Sequence, residues 1–189
     1  MDINILTQLI TCLNLKKLLN FIGLLLLIFL SARDTFAQDP YYFHTIHSHG
    51  ISFIGGRTAK INYLYQLARN RQLKLSGTYI YDSYNQGKNR IKSNIYVTNL
   101  QFQYNLVNAE QFFLNCGFGL GGYYLSAKDL LNIKHKEWRI NFTAGVEAEF
   151  YIVRNTIALT FDYDILYMPW SKIYEFMHIP TGGVTFYFF

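Results

Sequence analysis

Residues 156–167 read TIALTFDYDILY, and the order of side chains in this stretch decides the fold class. Nearly every second residue is large and apolar, and the residues between them include Asp162 and Asp164. Successive side chains of a β-strand point to opposite faces. The stretch therefore predicts a strand with an apolar face made of Ile157, Leu159, Phe161, Tyr163, Ile165 and Tyr167.

The preceding stretch, WRINFTAGVEAEF at residues 138–150, alternates in the same way. Its apolar face begins at Trp138, and its polar face carries Arg139, Glu147 and Glu149. Two such strands joined by a tight turn predict an antiparallel hairpin. If Arg154 and Asn155 form a two-residue turn, Glu147 faces Asp162 across the pair.

The same alternation extends over the rest of the chain and predicts an all-β fold of eight strands. The strands are expected at residues 47–56, 58–68, 72–84, 94–106, 112–125, 138–153, 156–168 and 179–189. Short connections at 68–71, 107–111 and 153–155 alternate with long polar ones at 85–93, 126–137 and 169–178; the first connection, near 55–57, is short. This asymmetry is typical of an antiparallel up-and-down transmembrane barrel. Ten strand residues tilted near 45° span about 23 Å, close to the roughly 25 Å apolar band of such barrels.

The first residues of the chain predict an export signal rather than part of the barrel. Lys16 and Lys17 precede an apolar run at 18–30, and Ala37 ends a small-x-small site. We expect a cleaved signal peptide at 1–37, a periplasmic segment at 38–46 and an outer-membrane barrel at 47–189. The alternative is a membrane anchor, but 13 helical residues span only about 20 Å of a roughly 30 Å hydrocarbon core. Cys116 is the one cysteine after residue 37, which excludes a disulfide framework.

The composition excludes several classes of protein. Of 189 residues 51% are hydrophobic and 18% aromatic, and the 15% that are charged fall short of the about 25% usual in soluble domains. Disorder and a polytopic helical membrane protein are both excluded by this balance. The formal charge of +5 is scattered along the chain, so no direct contact with nucleic acid is predicted.

Aromatic residues on the apolar faces predict two girdles, because Tyr and Trp favour membrane interfaces. On the outward face, Tyr63, Tyr104 and Tyr187 lie toward the short-turn end, and a larger group lies toward the long-loop end: Tyr79, Tyr81, Tyr96, Trp138, Tyr163 and Tyr167. A soluble sandwich or lipocalin-like barrel, with the apolar faces as its core, is the alternative. The end of the chain favours the membrane, because Tyr187 and the terminal Phe189 resemble the C-terminal aromatic signature by which the assembly machinery recognises outer-membrane barrels.

An eight-stranded barrel encloses a space that side chains can fill, so no diffusion pore is predicted. The inward charges predict a lumen network made of Lys60, Lys74, Arg139, Glu147, Glu149, Asp162 and Asp164. Because like charges opposed across a strand pair are destabilising, we expect Lys60, Lys74 or Arg139 to cross the lumen to Glu147 and Asp162. A buried acid/base site is the alternative for the carboxylate pair.

Other candidate sites are weaker. His44, His47 and His49 have spacing that a metal site can use, but no cysteine or acidic residue accompanies them. Gly117, Gly119 and Gly121 look like a phosphate loop, yet no helix follows, so we interpret them as small residues inside a narrow lumen. His135 and His178, with Asp129 and Glu175 available in the long loops, have no recognisable catalytic spacing. The sequence predicts no enzyme activity, cofactor or metal site.

Four segments resemble a known family. They are 62–84, with the Tyr-rich GTYIYDSY at its end, FLNCGFGLGGY at 113–123, AGVEAEFY at 144–151 and PTGGVTFYFF at 180–189. Through these segments, residues 50–189 resemble the conjugative-transposon TraO family of Bacteroidetes-type bacteria. The members of that family are exported proteins that are interpreted as small outer-membrane barrels. The resemblance implies an outer-membrane part of a mating apparatus that anchors or docks other conjugation proteins, without catalysis. It brings no catalytic residues to this chain.

Two other functions remain open, a stand-alone surface protein for adhesion or envelope integrity and a lipid-modifying outer-membrane enzyme. The expected partners are outer-membrane lipid, the barrel-assembly machinery and other conjugation proteins. Cationic loop residues are also expected to pair with lipopolysaccharide; they are Lys88, Arg90, Lys92, Lys128, Lys134, Lys136 and Lys172.

Overall fold

The computed structural model describes residues 46–56, 58–86, 89–109, 111–128, 134–154, 156–171 and 173–188. The predicted signal peptide at 1–37 lies outside the described residues, as does residue range 38–45, which includes His44. Lys88, Lys172, Asp129 and Phe189 also lie outside this part of the chain, and so does the side chain of Arg90. Within the described ranges, no helix has the length and apolar character needed to cross a membrane.

The alternating segments form eight antiparallel strands in the described residues. They are β1 (His49–Gly56), β2 (Thr58–Ala68), β3 (Arg71–Gln86), β4 (Asn89–Ala109), β5 (Phe112–Lys128), β6 (Lys134–Val153), β7 (Ile157–Tyr167) and β8 (Phe176–Phe188). Each strand pairs with the next, and β8 pairs with β1, so the sheet closes into a barrel. The predicted all-β, eight-stranded antiparallel up-and-down barrel is confirmed.

One end of the barrel, which we call the short-turn end, holds the turns from β2 to β3, from β4 to β5 and from β6 to β7, together with both ends of the described barrel. The short connection from β1 to β2 lies at the opposite end. Each pair of strands joined by one of these three turns contains a register shift. The shifts lie between Gln66 and Ala68, between Asn105 and Val107, and between Tyr151 and Val153. Such bulges bend a strand and increase its twist. The alternation pattern did not predict them, because a bulge changes the register without changing the composition.

Two of the three long connections predicted for the opposite end, the hairpin end, are wrong in extent. β3 and β4 remain paired as far as Gln86 and Asn89, and β5 and β6 as far as Lys128 and Lys134. The segment at 85–93 is mostly polar on both faces, and the segment at 126–137 has charged residues at both of its ends, so neither shows the alternation although the strands continue. His135 and His178, predicted in loops, therefore lie in β6 and β8. The connection from β7 to β8 does occupy residues 168–175.

The interior has three layers. At the hairpin end lies an apolar cluster, the upper cap, formed by Ile80, Ile95, Val97, Tyr123, Leu125, Ala127, Leu166, Met168, Met177 and Ile179. At the short-turn end a smaller cluster, the lower cap, contains Leu64, Phe113, Tyr151, Ala158 and Tyr187. Between the caps, the buried residues are mostly polar or charged. This middle layer holds the candidate site.

Candidate functional site

A cluster of buried ion pairs occupies the polar layer. The register places Glu147 opposite Asp162, as the sequence predicts. Lys74 reaches across the lumen from β3, and its Nζ lies 2.8 Å from Glu147 Oε2 and 2.8 Å from Asp162 Oδ2. All three side chains are without solvent exposure. One ammonium group thus contacts both of the opposed carboxylates.

A second lysine completes the cluster from β2. Lys60 Nζ donates to Asp162 Oδ2 at 2.5 Å and also to Asp164. Asp162 accepts from both lysines and lies at the centre of the arrangement. A buried charge is tolerated only when it is paired and hydrogen-bonded. Asp162 Oδ2 meets that condition through both lysines, whereas Asp162 Oδ1 has no hydrogen-bond partner among the described residues.

Arg139 is not part of this cluster, although the sequence analysis places it among the lumen charges. It follows the same inward face of β6, but eight residues separate it from Glu147, or about 26 Å at roughly 3.3 Å per residue. Its register partner is Tyr123 of the upper cap. Of the three cations expected at the carboxylate pair, Lys60 and Lys74 therefore reach it and Arg139 does not.

Glutamine side chains surround the charged cluster. Gln72 Nε2 donates to Gln103 Oε1 at 2.5 Å, and Gln101 Nε2 donates to Asp164 Oδ1 at 3.2 Å. A row of hydroxyls lies nearby in the polar layer, where Thr185 hydrogen-bonds to Ser52 at 2.7 Å and to Thr160 at 2.5 Å. Gln72, which also donates to Glu147 Oε1 at 3.4 Å, and Gln101 therefore extend the ion-pair cluster into a hydrogen-bonded network.

Glu149 also lies in the lumen, but its partner corrects the sequence analysis. Tyr187 Oη donates to Glu149 Oε1 at 2.5 Å, and Tyr187 is only 5% exposed. Tyr187 therefore points inward. The sequence predicted the opposite, because Tyr187 shares a strand face with the terminal Phe189, which was expected to point outward. Thr181 and Thr185 lie on the same face of β8 as Tyr187 and are buried. Phe186 and Phe188, on the opposite face of this strand, are exposed. Whether Tyr187 and Phe189 serve as an assembly signal stays a prediction, and Phe189 lies outside the described residues.

The glycines of β5 lie against the neighbouring strand β4. A Cβ on Gly121 would lie 1.9 Å from the carbonyl oxygen of Thr98, and one on Gly119 would lie 2.2 Å from that of Leu100. A Cβ on Gly117 would meet Gln103 Cγ at 2.6 Å. The glycines pair with the inward residues Asn99, Gln101 and Gln103, and the space that a side chain would need is taken largely by β4 itself.

The exterior of the barrel is apolar. Large side chains are exposed along every strand, among them Ile61, Leu75, Leu100, Leu120, Ile140, Phe161 and Phe186. A soluble protein rarely exposes apolar patches beyond a few hundred Å², whereas a barrel in a bilayer requires an apolar band on its outer face. Polar residues fill the middle layer of the lumen and apolar residues cover the outside, which is the reverse of a soluble barrel.

Most of the predicted girdle residues are on this surface. Tyr63, Tyr79, Tyr81, Tyr96, Trp138 and Tyr163 are exposed, and Tyr104 is half-buried beside Asn70, whose Nδ2 donates to Tyr104 Oη at 2.9 Å. Tyr167 is an exception, because it has no exposed surface. Its ring stacks on Phe176 with 4.8 Å between centroids and contacts Phe142 at 6.4 Å, so neighbouring aromatic side chains cover it.

Four aromatic residues form a continuous row on the outer face, which we call the aromatic row. The register pairs Tyr79 with Tyr96, Tyr96 with Tyr124, and Tyr124 with Trp138. The ring centroids of Tyr79 and Tyr96 are 5.0 Å apart, and Trp138 is 79% exposed. The row lies toward the hairpin end, at the position expected for an interfacial girdle.

The histidines at the start of the barrel contact tyrosines. His47 Nδ1 hydrogen-bonds to Tyr65 Oη at 2.8 Å, and His49 Nδ1 to Tyr63 Oη at 2.5 Å. His178, discussed above as a loop candidate, hydrogen-bonds to Tyr163 Oη at 2.8 Å on the outer face. Within the described ranges, no three His, Cys, Asp or Glu side chains are grouped so as to hold a metal ion.

The upper cap was not predicted from the sequence. The alternation places Ile80, Ile95 and Leu125 on inward faces, and this signal was present in the sequence. It was overlooked because the inward faces were identified by their polar residues. The cap matters chemically, since it separates the charged layer from the hairpin end of the barrel.

Known structures share this fold. The N-terminal β-barrel domain of OprF from Pseudomonas aeruginosa is similar with a TM-score of 0.56 and 17% identity, over 76% of this chain and 98% of that one. The Neisserial surface protein A (NspA) is similar with a TM-score of 0.54 and 10% identity, over 74% of this chain and 92% of that one. No protein-family model and no curated protein matches the sequence. At these identities the likeness establishes the fold, and the chain is an eight-stranded barrel with the same architecture as these two.

Proposed function

We propose that this protein is a small outer-membrane barrel that acts as a fixed surface element of the cell envelope, with a role in adhesion or envelope integrity. The observation that carries the proposal is the reversed distribution of side chains, with Lys74 and Glu147 buried in the lumen and Leu120 and Phe161 exposed outside. Such a barrel is stable only when lipid covers its outer face. The name of the similar Neisserial surface protein agrees with this location.

The packed lumen supports a structural role over transport. The two apolar caps lie at either end of the charged layer, and Lys60 and Lys74 bridge across it. An ion that entered would have to displace buried side chains and their paired charges. We therefore expect the reconstituted chain to give no resolved single-channel conductance in planar bilayers, and stepwise openings would contradict the structural role.

A deletion strain tests the biological role. Loss of the gene is expected to weaken surface attachment or resistance to detergents and large antibiotics, and the wild-type gene is expected to restore both. A matched control is the gene carrying Gly77→Ala, because a Cβ at Gly77 meets no atom within 4 Å. Unchanged attachment and unchanged resistance in the deletion strain would contradict the proposal.

A narrower proposal comes from the resemblance to the TraO family. In that case the barrel would anchor other conjugation proteins, and the barrel-assembly machinery would insert it. Mating frequency separates the two roles. A fall in DNA transfer without a change in the envelope would favour the conjugative role, whereas unchanged transfer with altered attachment would favour the surface role.

A further inference from the structure

Lysines crowd the outer face of the β5–β6 hairpin beyond the aromatic row. The register pairs Lys128 with Lys134 and Ser126 with Lys136, directly above Tyr124 and Trp138. All three lysines are exposed. Lys92 lies beside Lys128, because its neighbour Ser93 pairs with Ala127. We call these four residues, Lys92, Lys128, Lys134 and Lys136, the lysine patch.

The lysine patch is positively charged and makes no ion pair with the described residues. Glu137, the acidic residue nearest the tip in those ranges, accepts a hydrogen bond from Ser171 Oγ at 3.2 Å. Lys128 and Lys134 face each other directly, and like charges opposed across a strand pair are destabilising. An anion bound between them would relieve that repulsion.

The surface changes character in a fixed order along the hairpin. Ile140 and Leu120 are exposed below the aromatic row, then come Tyr124 and Trp138, and then the lysines. The row of Lys136 lies two residues, or about 7 Å, beyond Trp138, and that of Lys134 about 13 Å. Acyl chains, the glycerol or sugar region and phosphates follow one another in the same order across a leaflet.

We propose that the lysine patch and the aromatic row together form a binding site for a phosphorylated glycolipid of the surrounding leaflet. The lysines bind its phosphates, Trp138 and Tyr124 pack on its sugar region, and its acyl chains lie on Leu120 and Ile140. The inference rests on the proposed function, because the site exists as described only if lipid covers the outer face. Charge complementarity specifies the ligand as anionic, and the apolar strip below the lysines specifies it as a lipid.

Titration of lipid A into the detergent-solubilised full chain tests the site. Trp138 provides the signal in a W170F background, since Trp138 and Trp170 are the two tryptophans of the sequence. The test variant is K128Q/K134Q/K136Q. The matched control is R69Q/R71Q/R154Q, which removes three positive charges from exposed residues at the short-turn end.

Each lysine near an anionic lipid surface is worth about a five-fold change in affinity, so the test variant should bind lipid A roughly 100-fold more weakly. The control variant should bind like the parent chain, and dephosphorylated lipid A should bind poorly to both. Heat-modifiable mobility in detergent gels reports whether each variant is folded. If the triple variant does not fold, K136Q alone is expected to lose about five-fold.

Equal binding by the lysine variant and the parent chain would overturn the inference. So would an equal loss in the arginine control, tight binding of dephosphorylated lipid A, or displacement of lipid A by an equal concentration of inorganic phosphate. A chain that folds and inserts into bilayers but shows none of the expected selectivity would contradict this site alone. A chain that does not enter bilayers would instead contradict the proposed function.

Discussion

Glu147 and Asp162 face each other across β6 and β7, and both bind the same ammonium group, Lys74 Nζ, at 2.8 Å. The contact joins β3 to β6 and β7 through the middle of the lumen. Because these groups are completely buried, the loss of one partner leaves the remaining charges buried without compensation and without access to water. The removal of one member of the lumen network is therefore expected to destabilise the barrel strongly.

Replacing Lys74 by Met should lower the free energy of unfolding by about 3 to 5 kcal/mol, because it leaves two opposed carboxylates with less compensating charge. The measurement is equilibrium unfolding in urea of the barrel in detergent micelles or vesicles. Adding Glu147→Met to the same chain should recover part of the loss. Lys136→Met, at an exposed position, should change stability by less than about 0.5 kcal/mol, and an equally small effect of Lys74→Met would contradict the role of the network.

Gly121 should tolerate no side chain, while Gly77 should tolerate one. A Cβ on Gly121 would lie 1.9 Å from Thr98 O and 2.2 Å from Asn99 Oδ1, whereas Gly77 has no atom within 4 Å of the corresponding position. We expect Gly121→Ala to cost about 3 kcal/mol or to prevent folding, and Gly77→Ala to fold normally. Heat-modifiable mobility compares the two directly. Equal folding of both variants would show that β4 and β5 are further apart than described.

Tyr187→Phe should destabilise the barrel by about 1.5 to 3 kcal/mol, because the hydroxyl donates to the buried Glu149 carboxylate. Tyr81→Phe is the control, since Tyr81 is exposed on the outer face. Urea unfolding of the two variants in the same lipid provides the comparison. If the two changes had the same small effect, Tyr187 would not point into the lumen.

Trp138 should lie at the level of the lipid carbonyls. In a W170F chain, lipids brominated near the headgroup should quench its fluorescence more strongly than lipids brominated near the chain ends. The aromatic row explains this depth, because Trp138 pairs with Tyr124 between Ile140 and the lysines. Stronger quenching by the deeply brominated lipids would place the row in the hydrocarbon core instead.

Alternation predicted the barrel well wherever one face of a strand meets lipid and the other meets a polar lumen. β2 was predicted at 58–68 and is Thr58–Ala68. The pattern failed where both faces have the same character. At 184–189, VTFYFF, the apolar residues on both faces concealed the orientation of Tyr187, although Thr185 on the same face indicated it. At 85–93, polar residues on both faces concealed the continued pairing of β3 with β4.

The pairing of Glu147 with Asp162 was predicted correctly from a turn that was partly wrong. Thr156 N donates to Val153 O at 3.1 Å, as a two-residue turn predicts, but the strand register pairs Val153 with Ile157 rather than with Thr156. A bulge between Tyr151 and Val153 restores the expected register from Tyr151 and Ala158 onward. Single-sequence alternation cannot locate such a bulge, because the residues on both sides of it remain compatible with a strand. The sequence also predicted the cations only as a group of three candidates, because several inward cations could reach the same carboxylates.

The central claim is that lipid touches the apolar outer face and that the polar face lines a closed interior. The most direct measurement is the nuclear Overhauser effect between lipid acyl-chain methylenes and protein side chains in lipid nanodiscs. We expect cross-peaks to the outward residues Ile61, Leu120 and Phe161 and none to the inward residues Asn62, Gln101 and Thr160. Cross-peaks to the inward set, or a chain that stays monomeric in water without lipid or detergent while its apolar side chains are packed inside, would contradict the account.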